Sequence, residues 1–520
     1  MDRHSLPWQH LLRMRLAGLV GCLCLLALAL SCARLPSQDT NQAPEILAIT
    51  ATPSTLNAAS EILFSAQTRD LDGDSLTASW QINRGSFLAQ YPDSARWLSP
   101  DSTTYARLIY TIEDSHGNLA ADTLYFWVEN RTPHFTELGQ DSPIALNGNT
   151  LKLWAHAVDP DSQSVVLAWN SPWGTLSSTM GDTVRWTAPD TTLNAWIAVS
   201  ATDSWGNSAS DTLEVRVYSE IGCVWILDAG AGRVVKLSAE GDPLLEIPGL
   251  NEPGDIGLDS ENRRLWVSEL NPPALKAFDL QGTQLLDLAE TFGRPSRIQV
   301  WPRTGSVYVM DEDSARISEV RFNGEPGERV LDGLDRPGAM AIHQRTGMLW
   351  IADAGSNQVW QVPETYSGAV SAADSLTGVR AHNGFLYPYD LSVEDSTGAC
   401  WVVDKNAARL YRFLADGLDS LTVSGFDNPV AVSAGHSEGL AWVLDRGLNG
   451  RAIRLFFDLQ QTQHDNIRYP KALAANRLDA SCWVLDAERN QVLKINSLGA
   501  LAGSWSDFTF PTRLVINMGY

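Results

Sequence analysis

Four charged residues recur at one position of a sequence repeat, two residues after a proline that opens a short apolar run. The residues at this position along the chain are Asp255, Arg297, Ala339, Asp390, Ala431, Ala472 and Arg513. Two acids and two arginines in one place can bind a polar or zwitterionic ligand, because a guanidinium gives paired hydrogen bonds to a carboxylate. The alternative is that these acids and arginines pair with one another.

A second group of candidates precedes Asp390. The fourth step of the repeat is about ten residues longer than the others, which places extra chain at residues 364–387. This insertion contains His382 and Tyr387 and leads into Tyr389. Because an insertion into one repeat is typical of a loop on a binding face, we expect these three side chains to contact a ligand beside Asp390. A solvated loop is the alternative.

An acidic residue also stands three positions after the aromatic residue of each repeat. The seven are Asp228, Glu269, Asp311, Asp353, Asp404, Asp445 and Asp486. A group present in every copy is typical of construction, whereas a catalytic group breaks the repeat. Aspartate at the end of a strand bonds the backbone N–H groups of the following turn, so we predict a structural role for all seven.

Signatures of catalysis are thin. The sequence has no glycine-rich phosphate loop, zinc motif or serine-nucleophile elbow. The histidines of the repeat region are His343, His382, His436 and His464, and their positions in the repeat do not bring them together. We therefore predict no catalytic residue, no metal ion and no cofactor.

One segment near the N-terminus resembles a calcium loop. It reads Asp70-Leu71-Asp72-Gly73-Asp74. Its glycine stands at the fourth position, which does not fit an EF-hand loop. A weak calcium site at Asp70, Asp72 and Asp74 stays open, and an ordinary turn is the alternative.

Two series of residues, one aromatic and one of prolines, recur with matching spacing and predict the elements that position these candidates. The aromatic residues of one recurring strand are Trp225, Trp266, Tyr308, Trp350, Trp401, Trp442 and Trp483. The prolines are Pro253, Pro295, Pro337, Pro388, Pro429, Pro470 and Pro511. Steps of 41 to 51 residues suit one four-stranded blade of a β-propeller. Since an aromatic strand comes first and a proline strand last, strand 511–517 is predicted to complete the first blade and close a seven-bladed ring over 220–520.

A different repeat fills the preceding region. Residue pairs such as Trp80 and Trp169, or Trp97 and Trp186, recur at an offset of 89 residues. Short alternating apolar and polar runs predict half-buried antiparallel strands. We therefore predict an all-β chain in which two tandem β-sandwich domains, 44–130 and 131–219, precede the propeller.

The N-terminal 31 residues have the pattern of an export signal. Arg13 and Arg15 precede an apolar run from Leu16 to Leu30, and a cysteine follows at position 32. The run Leu28-Ala29-Leu30-Ser31-Cys32 resembles the lipobox of bacterial lipoproteins. The resemblance implies that 1–31 is removed, that Cys32 is lipidated, and that 32–43 is a tether to the membrane. The absence of Asp at the next position favours the outer membrane. An ordinary signal peptide or a single-span anchor is the alternative.

Charge and cysteines narrow the class of protein. The net charge of −23 repels phosphate backbones, so we predict no nucleic-acid partner.

Three cysteines, Cys223, Cys400 and Cys482, fall in three different repeats. We predict that they are small buried hydrophobic residues without a disulfide.

The motifs also resemble known families. The sandwich repeats resemble Ig-like and PKD-like modules of bacterial surface proteins, which act as spacers. The pattern Pro-x-x-Ile-x-x-Asp followed by Leu-Trp-Val resembles NHL-repeat propellers and the related streptogramin-lyase and gluconolactonase-like families. We expect a lipid-anchored protein of the bacterial cell envelope, periplasmic or surface-exposed, whose propeller binds a protein or glycan without catalysis. One alternative is a lyase or lactonase that acts at the mouth of the propeller's axial channel. The other is a structural component of an envelope assembly.

Overall fold

The computed structural model describes residues 41–371, 378–417, 420–435 and 437–519, which form 44 β-strands and no helix. The chain is therefore all-β, as its sequence predicts. No helix long and apolar enough to cross a membrane occurs in this described part. The chain divides into two compact units, one ending at Arg131 and one beginning at Thr132.

Two facing sheets build the first unit, because its strands alternate buried and exposed residues. Trp80 and Trp97 fill the space between the sheets together with Phe64 and Tyr110. The strands are β1 (Glu45–Thr52), β2 (Glu61–Arg69), β3 (Thr77–Ile82), β4 (Ser86–Gln90), β5 (Ser94–Leu98), β6 (Thr104–Glu113) and β7 (Leu119–Val128). They pair in the orders β1-β2-β5-β4 and β3-β6-β7.

The second unit begins with a similar pair of sheets. Trp169 and Trp186 lie in its core, at the positions that match Trp80 and Trp97. The strands are β8 (His134–Gln140), β9 (Ile144–Leu146), β10 (Thr150–Val158), β11 (Val166–Asn170), β12 (Thr175–Leu176), β13 (Thr183–Thr187), β14 (Leu193–Thr202) and β15 (Ser208–Tyr218). They pair in the orders β12-β13-β10-β8 and β11-β14-β15-β9.

Seven further sheets follow in the described residues of the same unit. The strands of the first three are β16 (Val224–Asp228), β17 (Arg233–Leu237), β18 (Pro243–Ile247), β19 (Pro253–Asp259), β20 (Arg264–Leu270), β21 (Pro273–Asp279), β22 (Gln284–Ala289), β23 (Pro295–Trp301), β24 (Ser306–Asp311), β25 (Arg316–Val320) and β26 (Pro326–Asp332). Those of the fourth and fifth are β27 (Pro337–Ile342), β28 (Leu349–Asp353), β29 (Gln358–Val362), β30 (Gly368–Ala369), β31 (Arg380–His382), β32 (Pro388–Val393), β33 (Cys400–Asp404), β34 (Arg409–Phe413) and β35 (Ser420–Val423). The rest are β36 (Pro429–Ala434), β37 (Leu440–Asp445), β38 (Arg451–Phe456), β39 (Leu459–His464), β40 (Pro470–Ala475), β41 (Cys482–Asp486), β42 (Gln491–Ile495), β43 (Leu501–Trp505) and β44 (Pro511–Ile516).

The strands that begin at the prolines form the inner wall of a ring. In ring order they are β19, β23, β27, β32, β36, β40 and β44, and each contacts the next, with β44 contacting β19. The last strand pairs antiparallel with β16, where Val515 lies opposite Trp225. Each sheet thus presents one strand to a central axis, and the two ends of the ring meet in one sheet.

The recurring aromatic residues hold neighbouring sheets together. All six tryptophans of the series are fully buried, and Tyr308 is nearly so. Trp225, for example, packs in one cluster with Leu265 and Val267 of the following sheet. Burying these large aromatic side chains between neighbouring sheets supplies much of the apolar burial that stabilises the ring of sheets.

The insertion extends two sheets. Within it, β30 pairs in parallel with β26 at the edge of the third sheet. Its later part, β31, pairs with β29 and becomes the outer strand of the fourth sheet. The expected loop at residues 364–387 is therefore partly strand, because its backbone satisfies exposed sheet edges.

The second sandwich packs directly on the ring. Tyr218 donates a hydrogen bond of 2.5 Å to Asp242, and burial together with this acid raises the pKa of Tyr218 to about 12. Glu220 accepts a 2.6 Å bond from the buried Lys236. Leu146 and Cys223 belong to the apolar cluster at this junction. These contacts join the two parts of the second unit.

Candidate functional site

A channel runs along the axis of the ring, with a cavity of about 400 Å³. This is the size of a site for a small organic molecule. All seven residues at the second position after the prolines line it: Asp255, Arg297, Ala339, Asp390, Ala431, Ala472 and Arg513. The repeat therefore places these candidates in one layer of the channel wall.

The two acids of this layer bind neighbouring strands. Asp255 accepts the backbone N–H of Ile298, in the next inner strand, at 3.0 Å. Asp390 accepts the N–H of Val432, again in the next inner strand, at 2.9 Å. Each carboxylate thus links two adjacent sheets. This structural bond uses part of the hydrogen-bonding capacity of the carboxylate.

The cations of the layer bond to Asp255 and to backbone carbonyls. Arg513 contacts Asp255, with 3.3 Å between Nε and Oδ1, so one of the expected acid–arginine pairs forms. Arg297 instead donates to two backbone carbonyls, those of Gly338 and Ser296. In this layer the other acid, Asp390, makes no direct ion pair within 4.0 Å among the described residues.

Lys471 is a channel residue that the sequence analysis missed. It lies one position after its proline, and its half-buried side chain lines the cavity. Among the described residues it has no hydrogen-bond or ion-pair partner. A signal was present, because Lys471 is the one charged residue at the position directly after the seven prolines.

Burial and mutual repulsion set the electrostatics of the channel. Desolvation lowers the pKa of Arg297 to about 10, and Arg513 acts in the same direction. The pKa of Lys471 is also lowered, by desolvation and by the nearby arginines Arg513, Arg446 and Arg297. Desolvation raises the pKa of Asp390 to about 6, against the Val432 hydrogen bond and the two arginines.

Two tyrosines lie next to the charged layer. Tyr389 lines the cavity, and the ammonium of Lys405 lies 4.5 Å from the centre of its ring. Tyr387 stacks on Tyr389, with ring centres 6.0 Å apart, and its backbone N–H donates to Asp404. Of the two, only Tyr389 lines the cavity in the described part of the chain.

His382 lies elsewhere. It belongs to β31, at the outer edge of its sheet, where its ring lies 5.3 Å from Trp350 and 4.5 Å from Phe413, measured between ring centres. Desolvation lowers its pKa to about 4, and Arg380 acts in the same direction. The prediction that His382 lies in a loop beside Asp390 is wrong, because this segment pairs with a sheet edge and packs the half-buried ring against Trp350 and Phe413.

The recurring acids at the ends of the aromatic strands have backbone partners. Asp353, for example, accepts the N–H groups of Asp335 and Arg336, at 3.1 and 2.8 Å. The same pair of bonds, to the two residues before the proline, is made by Asp228, Asp311, Asp404, Asp445 and Asp486. Glu269 accepts one such bond, from Asn251. Their role is structural as predicted, but the main partner is the loop before the inner strand and not the following turn.

Histidine and cysteine contribute packing. The ring of His343 lies 2.7 Å from the Thr346 hydroxyl and 3.2 Å from the carbonyl of Asp395. His436 lies outside the described residues. The three cysteines of the ring are buried and free, and desolvation raises the pKa of Cys223 to about 12. The prediction of small buried cysteines is confirmed for these three.

One acidic cluster lies in the first unit. Carboxylate oxygens of Asp70, Asp74 and Asp114 lie within 4.8 Å of one another, and Asp72 is not part of the group. Asp114 accepts bonds from the backbone of His116 and from Asn118, and against the effect of desolvation these hold its pKa at about 2. Among the described residues this is the one group of three acids close enough together to hold a metal ion, and its residues belong to the first unit.

No known protein family and no curated protein matches the sequence. Among solved structures, streptogramin B lyase is 14% identical, with a TM-score of 0.40, covering 49% of this chain and 83% of that one. A functionally unknown protein from Desulfotomaculum acetoxidans is 10% identical, with a TM-score of 0.48, over 56% of this chain and 98% of that one. Hydrazine synthase from Kuenenia stuttgartiensis is 13% identical, with a TM-score of 0.44, over 54% and 94%. These likenesses identify no activity.

The predicted lipidation residue, Cys32, lies outside the described residues, as do the signal segment and most of the tether.

Proposed function

We propose that this protein is a bacterial envelope lipoprotein whose ring is a non-catalytic binding module for a protein or glycan. In this proposal residues 1–31 are a signal peptide, and Cys32 carries the lipid anchor at the start of tether 32–43. Two Ig-like spacers, 44–130 and 131–219, then hold a seven-bladed propeller, 220–520, away from the membrane.

The channel carries this proposal. Its wall brings together charged side chains and Tyr389 in a cavity large enough for a small molecule or one sugar unit of a larger ligand. Successive inner strands contact one another around the channel, and Asp255 and Asp390 each bond the next strand, so the site is pre-formed. A pre-formed site reduces the entropy lost on binding.

A glycan array probed with the purified full-length mature protein tests this function. We expect binding to a defined set of glycans, weakened by Arg297→Ala and by Asp390→Ala. A purely structural role predicts that neither substitution changes any binding. A signal unchanged in both variants would therefore contradict binding at the channel.

A lyase- or lactonase-type enzyme at the channel mouth is the alternative function. Such an enzyme needs a metal ion or a histidine–carboxylate pair at this place. No histidine lines the channel in the part of the chain that the structure describes. Crystals soaked with calcium and zinc would discriminate, since a divalent ion bound at the mouth would favour the enzyme.

Protease treatment of intact cells tests localisation. Display outside the outer membrane predicts cleavage of the ring while the cells stay intact. Complete protection would assign the protein to the periplasmic side.

A further inference from the structure

We propose that the channel takes an anionic ligand group, a carboxylate, held by Arg297, Lys471 and Arg513. This inference deepens the proposed function, on which it rests, by assigning the class of ligand. The residue types alone leave a polar or zwitterionic ligand open. The structure separates the acids from the cations of the channel by what each one already bonds.

The acids are engaged with the protein. Asp255 accepts the N–H groups of Ile256 and Ile298 and contacts the guanidinium of Arg513. Asp390 accepts the N–H of Val432. Both oxygens of Asp255 and Oδ2 of Asp390 are thus already engaged, which weakens these acids as anchors for a positively charged group.

Two of the cations have donors without a partner, while Arg513 contacts Asp255 and donates to the carbonyl of Thr512. Lys471 lines the cavity, and the described residues supply it no hydrogen-bond or ion-pair partner. Arg297 donates through Nε and Nη1 to carbonyls, and no described residue accepts from its Nη2. At the other end of the cavity Arg477 is already paired with Asp395. The donors without a partner, those of Lys471 and Nη2 of Arg297, therefore belong to residues that line the same cavity.

Charge points the same way. Arg297, Arg513 and Lys471 line the cavity together with the acids Asp255 and Asp390. Their formal charges leave this part of the channel wall with one positive charge in excess, which favours an anion there, whereas the net charge of −23 opposes anions over the molecule as a whole. A carboxylate fits the planar guanidinium fork and balances this excess charge, whereas a neutral sugar does not.

Calorimetric titration of the full-length mature protein with citrate tests the proposal. We expect saturable binding that Arg297→Gln and Lys471→Met each weaken at least tenfold, which equals about 1.4 kcal/mol. Arg303→Gln is the matched control, because it removes an exposed arginine from the turn after β23 and should leave binding unchanged. Lys471 has no bond to lose among the described residues, so Lys471→Met tests the site even if an arginine variant fails to fold.

Two further ligands distinguish the sources of the carboxylate. Binding of glucuronate alone indicates a free small molecule, and tighter binding of a glucuronate-terminated oligosaccharide indicates the end of an acidic glycan. Glucose is the neutral control. Absence of citrate binding at millimolar concentration, or equal binding by the wild type and both channel variants, would overturn the proposal. Citrate binding without any signal on the glycan array would leave the anion site standing and contradict the glycan function.

Discussion

At the scale of single residues, the role of a charged side chain is decided by its hydrogen bonds and not by its position in the repeat. Asp255, Asp390, Arg297 and Arg513 are equivalent along the sequence, yet each bonds differently. The two acids accept N–H groups of the next inner strand, Arg297 donates to backbone carbonyls, and Arg513 contacts Asp255. The repeat predicts where these side chains lie. It does not predict which backbone N–H each carboxylate reaches, because that depends on the register between adjacent sheets.

Asp390 gives a pH-dependent prediction. Its pKa is about 6 in the folded protein, above the ordinary value of 3.8, so the folded state binds this proton more tightly. The stability linked to this proton is present below pH 4 and is lost as the pH rises through 6. The free energy of unfolding of the wild type, measured with urea, should therefore fall between pH 4 and pH 7. In Asp390→Asn this fall should be smaller by on the order of 2 kcal/mol. The charged groups facing it are Arg513 and Arg297, which lower its pKa.

Asp458→Asn is the control for this titration, because Asp458 lies exposed between β38 and β39. It should leave the pH dependence of the wild type in place. Identical pH profiles for the wild type and Asp390→Asn would show that the Asp390 carboxyl does not titrate in this range.

Asp353 gives a second prediction at this scale. Its removal in Asp353→Ala leaves the N–H groups of Asp335 and Arg336 and the hydroxyl of Ser356 without their acceptor. We expect a loss of about 2–4 kcal/mol in the free energy of unfolding, measured with urea. The exposed Asp332 is the control, since Asp332→Ala should cost far less. Equal costs for the two alanine variants would argue against a structural role of the recurring acids.

At the scale of elements, the sequence predicts strands where a local pattern repeats. It misses strands that form because inserted residues pair with the edge of a sheet. The aromatic and proline series mark the inner two strands of every sheet of the ring from the amino-acid sequence alone. The insertion carries no alternating pattern of its own, and β30 and β31 form because neighbouring sheets offer unpaired backbone. His382 is half-buried in β31 for the same reason, which no property of its local sequence indicates.

The last strand gives a prediction at this scale. β44 is the inner strand beside β16, so a chain that ends at residue 509 leaves an inner edge exposed to pairing with other molecules. We expect this truncated protein to aggregate when purified, as measured by size-exclusion chromatography. A chain that ends at Met518 keeps β44 and should elute as the wild type does. A soluble, folded product of the shorter chain would contradict closure of the ring by β44.

At the scale of the whole molecule, the chain is acidic while its axial channel gathers cations. Composition alone predicts a negatively charged surface and gives no sign of this internal contrast. The ring creates it, because Arg297, Lys471 and Arg513 lie in three different repeats of the sequence and come together in the channel wall. The proposed function therefore depends on what these channel residues bind.

A crystal structure of the protein grown with glucuronate is the most direct test of anion binding in the channel. We predict a carboxylate in the channel, within hydrogen-bonding distance of the Arg297 guanidinium and the Lys471 ammonium. Glucuronate bound outside the channel, or an empty channel in crystals that hold the ligand elsewhere, would contradict this prediction.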